Sequence, residues 1–172
     1  MKTLIRFSIL TALFSFAFHS MSAEFTVEKT KDGVTVKYGG ELFTRYVVGQ
    51  SNKPFMWPII GPNGNEVTRA FPMKKREGER HDHPHHRSLW FGHQGIGGFD
   101  TWHEPASGRK TNLGSTVHRE FVKAQGGDTA VIVTRNDYVG GGKKLLADER
   151  THTFKVEKGQ RIIDVDIIFI AE

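Results

Sequence analysis

The chain has 172 residues, of which 37% are hydrophobic and 25% charged, so it is long enough for one domain with its own core and is not of disordered type. Its formal net charge of +5 is too small to favour a nucleic-acid partner, which needs a clustered basic face. The sequence contains no cysteine, which excludes disulfides and thiolate metal ligands. Any metal site must therefore use His, Asp or Glu.

The first 22 residues have the order of a secretory signal peptide. Lys2 and Arg6 precede an apolar run from Leu10 to Phe18, and small residues follow up to Ala23. This run is too short to span a bilayer. We therefore predict removal of residues 1–22 and a periplasmic or extracellular domain over residues 23–172, with a net charge of +3 and no membrane span.

Alternating apolar and polar residues, broken by Gly, Asn and Pro turns, predict β-strands along the first half of the chain. The predicted strands are 24–29, 34–37, 41–48, 55–60 and a brief one at 66–69. Phe43 and Trp57 are expected in the core. Residues 70–87 have no period and predict a long loop. A strand over 88–93 follows, with Leu89, Phe91 and His93 on one face and Trp90 on the other.

The second half predicts strands at 115–122 and 128–134, a flexible connection at 138–142, and a long hairpin of 144–156 with 160–171. Ile163, Val165, Ile167 and Phe169 share one face of the last strand, and Phe169 is expected in the core. No helical period is present, so we predict an all-β antiparallel β-sandwich. Because the chain ends within an apolar strand, we expect the sandwich to be incomplete at its C-terminus.

Five of the nine histidines lie between His81 and His93, and His103 follows ten positions later. In an extended backbone His81, His83 and His85 project to one side, and such H-x-H spacing can place two imidazoles on one metal. A further ligand would come from His86, His93, His103 or Glu104. This interpretation predicts a site for a divalent transition metal such as Zn, Cu, Fe or Ni.

The same residues suit acid–base chemistry without a metal. A neutral imidazole is a general base and its cation a general acid near neutral pH. Arg87 can hold a polar oxygen, and Trp90 and Trp102 offer flat faces to a sugar ring. His118 is a further candidate because Glu120 is expected on the same strand face. The plain alternative is a surface histidine tract that binds metal adventitiously, and His152 is expected to be a merely hydrogen-bonded or surface residue.

The stretch from Asp82 to His93, together with Gly61-Pro62, Val67-Thr68-Arg69 and Asp100-Thr101-Trp102, resembles the bacterial methane oxygenase PmoA-like family, also treated as a domain of unknown function. The resemblance runs from about Val34 to the end of the chain. It implies an exported β-sandwich related to the galactose-mutarotase-like supersandwiches. By that analogy histidines perform acid and base steps on a sugar.

These observations predict an exported carbohydrate-active protein that binds a small molecule or glycan. The predicted catalytic residues are His83, His86, His93 and His118, and the predicted substrate-binding residues are Arg87, Trp90, Asp100 and Trp102. Two alternatives stay open. One is a metalloprotein whose ligands are His81, His83, His85 and His86, and the other is a non-catalytic glycan-binding module.

Overall fold

A computed structural model describes residues 24–109 and 112–171. The predicted signal peptide lies outside these residues. The described chain is an all-β antiparallel sandwich, as predicted, and its regular helical structure is limited to one short 3-10 helix at Pro105–Ser107. Among the described residues, no helix has the length and apolar character needed to cross a membrane.

The first sheet has five antiparallel strands in chain order. They are β1 (Phe25–Thr30), β2 (Gly33–Tyr38), β3 (Glu41–Val47), β4 (Phe55–Ile59) and the two-residue β5 (Leu89–Trp90). The tight turn before β2 requires glycine, because a Cβ on Gly33, whose φ is 141°, would lie 1.9 Å from the carbonyl oxygen of Tyr46.

The second sheet contains the long strands of the C-terminal half in the order β11-β10-β9-β8. Before it, β6 (Gln94–Ile96) and β7 (Phe99–Asp100) form a small hairpin. The four long strands are β8 (Ser115–Gln125), β9 (Ala130–Gly140), β10 (Lys143–Glu157) and β11 (Gln160–Ile170). The small hairpin packs on this sheet through Phe99. Its ring lies so close to Gly140 that a Cβ there would be 2.2 Å from the ring atom Cγ.

The core lies between the two sheets. Phe43 is fully buried, and its ring contacts those of Phe25 and Phe154 at centroid distances of 5.5 and 5.7 Å. Val34, Val36, Met56 and Ile132 also belong to this buried apolar cluster. Burial of this alternating inner face is the main force holding the sheets together. The prediction that Phe43 is a core residue is confirmed.

Several predicted elements differ from the structure. The strand predicted over 88–93 is confined to Leu89–Trp90, because Ser88 enters it with a left-handed φ of 66° and the chain leaves the sheet after Trp90. The connection predicted at 138–142 is instead the end of β9 and a tight turn into β10. Residues 66–69 contribute one isolated bridge, at Glu66, rather than a strand.

The last strand shows the predicted alternation but not the predicted core position. Ile163 packs on the core, and Ile167 and the 42% exposed Val165 line the cavity beside it. Phe169 contacts the rings of Phe91 and Tyr138, yet it is 50% exposed, so its assignment to the core is wrong. Its exposure follows from position, since β11 is an outer strand of its sheet. Trp57 is half-buried and lies outside the central core cluster.

Candidate functional site

The long loop predicted at 70–87 is held in place by its own polar contacts. Glu79 accepts hydrogen bonds from the backbone N–H groups of Ala70 and Phe71, at 2.7 and 3.1 Å. Arg69 donates to the backbone carbonyls of Arg80 and Asp82, at 3.0 and 2.8 Å. These bonds fix both ends of the segment that leads into the histidines, so the cluster has a defined geometry despite its irregular backbone.

Four histidines form a continuous row of ring contacts. His83 stacks on His86 at a centroid distance of 5.1 Å, His86 meets His85 at 4.4 Å, and His85 meets His103 at 4.6 Å. The row runs from His83, whose side chain is 57% exposed, through His86 and the 4% exposed His85 to His103, whose side chain is 21% exposed. The structure therefore brings together imidazoles from the loop and from the segment after β7. We call these four residues the imidazole row.

The inner end of the row rests on Asp100. Oδ2 of Asp100 lies 2.8 Å from Nδ1 of His103, and Oδ1 accepts the backbone N–H groups of Trp102 and His103. Burial alone would raise the pKa of Asp100, but the hydrogen bonds from the His103 backbone and side chain outweigh it and lower the pKa. An ionised Asp100 assigns the proton to Nδ1 of His103 and leaves Nε2 as the basic nitrogen. Asp100, predicted to bind substrate, therefore positions His103.

Arg87, also predicted to bind substrate, pairs with Glu104. Its Nε and Nη2 atoms donate to the two oxygens of Glu104, at 3.1 and 2.9 Å, and Ser51 donates to the same carboxylate at 2.7 Å. Burial would raise the pKa of Glu104, but these hydrogen bonds from Arg87 and Ser51 lower it. This two-bond ion pair links the loop that carries Arg87 to the segment that carries His103. Glu104 is only 3% exposed, so the pair is shielded from solvent.

Two indole rings lie beside the imidazole row. The Trp90 and Trp102 centroids are 4.5 Å apart, and His86 contacts both rings, at 5.8 and 5.9 Å. Their approach depends on Gly92, since a Cβ there would lie 2.7 Å from the Thr101 carbonyl oxygen and 2.9 Å from the Trp90 ring. The predicted proximity of the imidazoles and the two indoles is therefore present in the fold.

Lys53 is a buried cation beside this group. Its Nζ lies 4.7 Å from the Trp90 ring centroid and donates to the Trp102 carbonyl at 2.8 Å and to Asn52 Oδ1 at 2.9 Å. Burial lowers the pKa of Lys53 to about 8, although the Glu104 carboxylate acts in the opposite direction. Near neutral pH the lysine is therefore still largely protonated.

Two histidines of the row are held in the neutral form. Burial lowers the pKa of His85 to about 4, and the neighbouring imidazoles of His86 and His103 act in the same direction. Burial also lowers the pKa of His86, with further lowering from His83 and Arg69. Neutral imidazoles can accept protons or donate hydrogen bonds at neutral pH. The Nδ1 atom of His85 is buried and has no hydrogen-bond partner among the described residues.

The outer end of the row opens onto a wide surface groove of about 550 Å³. Its walls carry residues of both charges beside the two stacked imidazoles, namely Arg69, Glu79, Arg80, Asp82, His83 and His86. Asp82 Oδ2 lies 3.3 Å from Nδ1 of His83 and 3.0 Å from an Arg80 nitrogen. The groove is therefore rich in hydrogen-bonding groups, with aromatic imidazole faces on one wall.

Three predicted site histidines lie apart from the row. His81 is exposed and stacks on Phe71 at 5.0 Å. His93 is exposed, and its backbone pairs with Thr101. His118 on β8 packs on Phe121 at 4.2 Å and lines a separate cavity, where burial lowers its pKa. Glu120, expected beside His118, instead forms an ion pair with Arg135 at 3.1 Å.

The row does not form an assembled metal centre. Within residues 24–109 and 112–171, no three His, Asp or Glu side chains are placed to hold one metal ion. His83, His85 and His86 lie close together, with ring centroids 4.4 to 5.8 Å apart, without forming such a site.

Several residues of this site carried no sequence signal. Ser51, Asn52 and Lys53 reach it from the connection before β4, about fifty positions upstream of Trp102, His103 and Glu104. A serine, an asparagine and a lysine in a polar connection are ordinary turn residues. His103 was visible as a member of the histidine group, but its pairing with Asp100 depends on the turn that follows β7.

Comparison with known proteins identifies a family. The family described as Family of unknown function (DUF6807) matches residues 33–172, which include every residue of the imidazole row. No curated protein and no solved structure matches the chain.

Proposed function

The chain belongs to the family of unknown function DUF6807, and from that premise we propose that it is an exported carbohydrate-active protein whose imidazole row acts on a sugar bound in the surface groove. The proposed export rests on the basic, apolar and small-residue order of residues 1–22. The finer assignment, to the methane oxygenase PmoA-like proteins, rests on the motif from Asp82 to His93 and belongs to the same proposal.

The observation that carries the proposal is the continuity of the row. It joins an open groove lined by charged side chains and imidazole rings, through four imidazoles in successive contact, to a buried carboxylate. A sugar presents many hydroxyl groups, and mixed Arg, Asp and Glu side chains can both donate to and accept from them. The groove thus offers charged heads for the hydroxyl groups of a sugar, and imidazole faces and carbon stems for its apolar C–H faces.

The proposed chemistry is proton transfer. His86 faces the groove as a neutral imidazole and accepts a proton from the sugar, while the stacked His83 is placed to return one. His103, oriented by Asp100, supports the inner end of the row. Arg87 and Trp102 hold the site together rather than contact the sugar in this scheme.

The test is turnover of a defined sugar panel. Neutral and uronic-acid-containing mono- and disaccharides are incubated with the protein, and anomeric exchange and product formation are followed by proton NMR. We expect one class to be turned over by the wild type and not by the His83→Ala/His86→Ala double variant, with the fold retained. The exposed Lys123→Gln variant is the control and should match the wild type. Turnover that is unchanged in the double variant contradicts the proposal, and binding without chemical change indicates a glycan-binding module.

A His-ligated metalloprotein is the second candidate. It is favoured by the imidazoles of His83, His85 and His86, whose ring centroids lie within 5.8 Å of one another. It is also favoured by Nδ1 of His85, which is buried and has no hydrogen-bond partner among the described residues. Metal analysis of protein purified without a histidine tag decides this candidate. Stoichiometric divalent metal that is lost in a His83→Ala/His85→Ala variant supports it, while a metal-free protein that still turns over a sugar rules it out.

A further inference from the structure

The interior of the sandwich contains a polar network apart from the histidine cluster. Asp148 on β10 is fully buried and accepts hydrogen bonds from Arg150 Nε at 2.8 Å, from the Tyr138 hydroxyl at 2.6 Å and from Asn136 Nδ2 at 2.7 Å. Arg150 is itself 2% exposed and also donates to the Tyr138 hydroxyl at 2.9 Å. The inward face of β9 and β10 is therefore polar toward one end of each strand.

Such a network is an unusual way to fill the interior of a sandwich. The desolvation of a buried Arg–Asp pair offsets much of its attraction, and apolar residues of similar volume are often at least as stable. Departures from the expected apolar pattern are concentrated at functional or strained positions. The polar interior face therefore marks a place to look for a ligand.

A cavity of about 290 Å³ lies against this face, between the two sheets. Phe55, Met56 and Trp90 line it from the first sheet, and Arg150, His152 and Ile167 line it from the second. It lies where β5 ends one sheet and β11 ends the other, so it is at an open side of the sandwich. Its walls are mainly apolar and aromatic, as in small-molecule pockets.

His152 supplies the cavity with a hydrogen-bonding imidazole. The residue is 5% exposed, and its Nδ1 atom has no partner among the residues that the structure describes. Burial lowers the pKa of His152 to about 4, with the Arg150 cation acting in the same direction, so the ring is neutral at pH 7. The Arg150 charge is already matched by Asp148, so the cavity has no net charge to attract an anion.

From these residues we propose that the inter-sheet cavity binds a small, neutral aromatic molecule that carries a hydroxyl group. The rings lie among Phe55, Met56, Trp90 and Ile167, and the hydroxyl donates to the neutral imidazole of His152. An apolar cavity of about 150 Å³ is enough for benzene, so the present volume suits one or two rings. This cavity is separate from the proposed sugar groove, although Trp90, which lines the cavity, also contacts His86.

The test compares 2-naphthol with naphthalene, which has the same rings and no hydroxyl. Binding to the wild-type protein at pH 7 is measured by isothermal titration calorimetry. We expect saturable one-to-one binding of 2-naphthol and about tenfold weaker binding of naphthalene, which is the effect of one hydrogen bond to a buried acceptor. No saturable binding of 2-naphthol, or equal affinities for the two compounds, overturns the proposal.

Two variants locate the binding. His152→Phe keeps an aromatic ring and removes the acceptor, so it should lose the preference for 2-naphthol over naphthalene. Ile167→Trp fills the cavity from β11 and should abolish binding of both compounds, with the β-sheet circular dichroism of each variant checked against the wild type. If both folded variants bind 2-naphthol as the wild type does, the ligand lies elsewhere and the assignment fails. If His152→Phe does not fold, the Ile167→Trp result and the wild-type comparison decide.

Discussion

Oδ2 of Asp100 lies 2.8 Å from Nδ1 of His103, and this contact joins the buried carboxylate to the inner end of the imidazole row. It predicts that Asp100→Asn weakens proton transfer without removing ligand binding. Because an amide cannot fix the same tautomer of His103, which supports the row without contacting the sugar, we expect kcat for a turned-over sugar to fall about tenfold while KM changes little. Asp128→Asn, at an exposed turn, is the matched control. Equal kcat values for the two variants would show that the contact is structural only.

Removing Arg87 from its ion pair with Glu104 is expected to lower the stability of the fold. Arg87→Ala leaves the carboxylate of Glu104, which is 3% exposed, without its cation, so we expect a loss of about 3–5 kcal/mol in the free energy of unfolding. Arg80→Ala is the control, because the Arg80 side chain is 87% exposed and its ion pair with Asp82 should contribute about 1 kcal/mol or less. Urea denaturation measures both, and similar losses in the two variants would contradict this reading of Arg87.

The buried imidazole of His152 predicts a pH-dependent stability. Its pKa is about 4 in the folded protein and about 6.5 in the unfolded chain, so the unfolded state binds more protons between these values. This contribution to stability is complete above pH 6.5 and falls by about 3 kcal/mol as the pH is lowered to 4. The wild type should therefore lose stability relative to His152→Phe across this window. An exposed-site variant, His93→Phe, should follow the wild type, and a wild-type-minus-His152→Phe difference that does not vary with pH would refute the assignment.

The Asp148–Arg150 pair predicts strong coupling. Removing one partner leaves a buried charge, so Asp148→Leu or Arg150→Met alone should each destabilise the protein by about 3–5 kcal/mol. Replacing both removes the uncompensated charge, so the double variant should lose much less than the two single losses added together. Chemical denaturation of the wild type, the two single variants and the double variant measures the coupling energy. A double variant that loses the sum of the two single losses would contradict this prediction.

Much of the fold could be predicted from alternation and turn residues. The hairpin turns at Asp32-Gly33 and Lys158-Gly159 separate regular apolar patterns, and the strands on either side lie where the pattern predicts them. The turn from β9 to β10 was missed because a run of three glycines is equally typical of a flexible linker. In the fold, Gly140 is needed for its close approach to the Phe99 ring, which no local pattern shows.

The site was only partly predictable, because contacts between segments distant in the sequence are not visible in a local pattern. The density of histidines between His81 and His93 is visible in the sequence, but which rings touch depends on the loop held by Arg69 and Glu79. His93 and His118 have suitable chemistry and lie elsewhere, whereas Lys53 reaches the site from a distant connection. The inward polar residues of β9 were not predicted, because Asn136 lies beyond the strand predicted at 128–134 and Tyr138 lies in the predicted connection.

The central claim is that the outer end of the imidazole row contacts a sugar. Histidine side-chain NMR, with the carbohydrate panel titrated into the uniformly labelled protein, tests it most directly. We expect a bound sugar to shift the ring resonances of His83 and His86 saturably and to leave that of the buried His152 unchanged. A sugar that binds while the His83 and His86 resonances stay fixed, or the absence of binding by any member of the panel, would contradict the account.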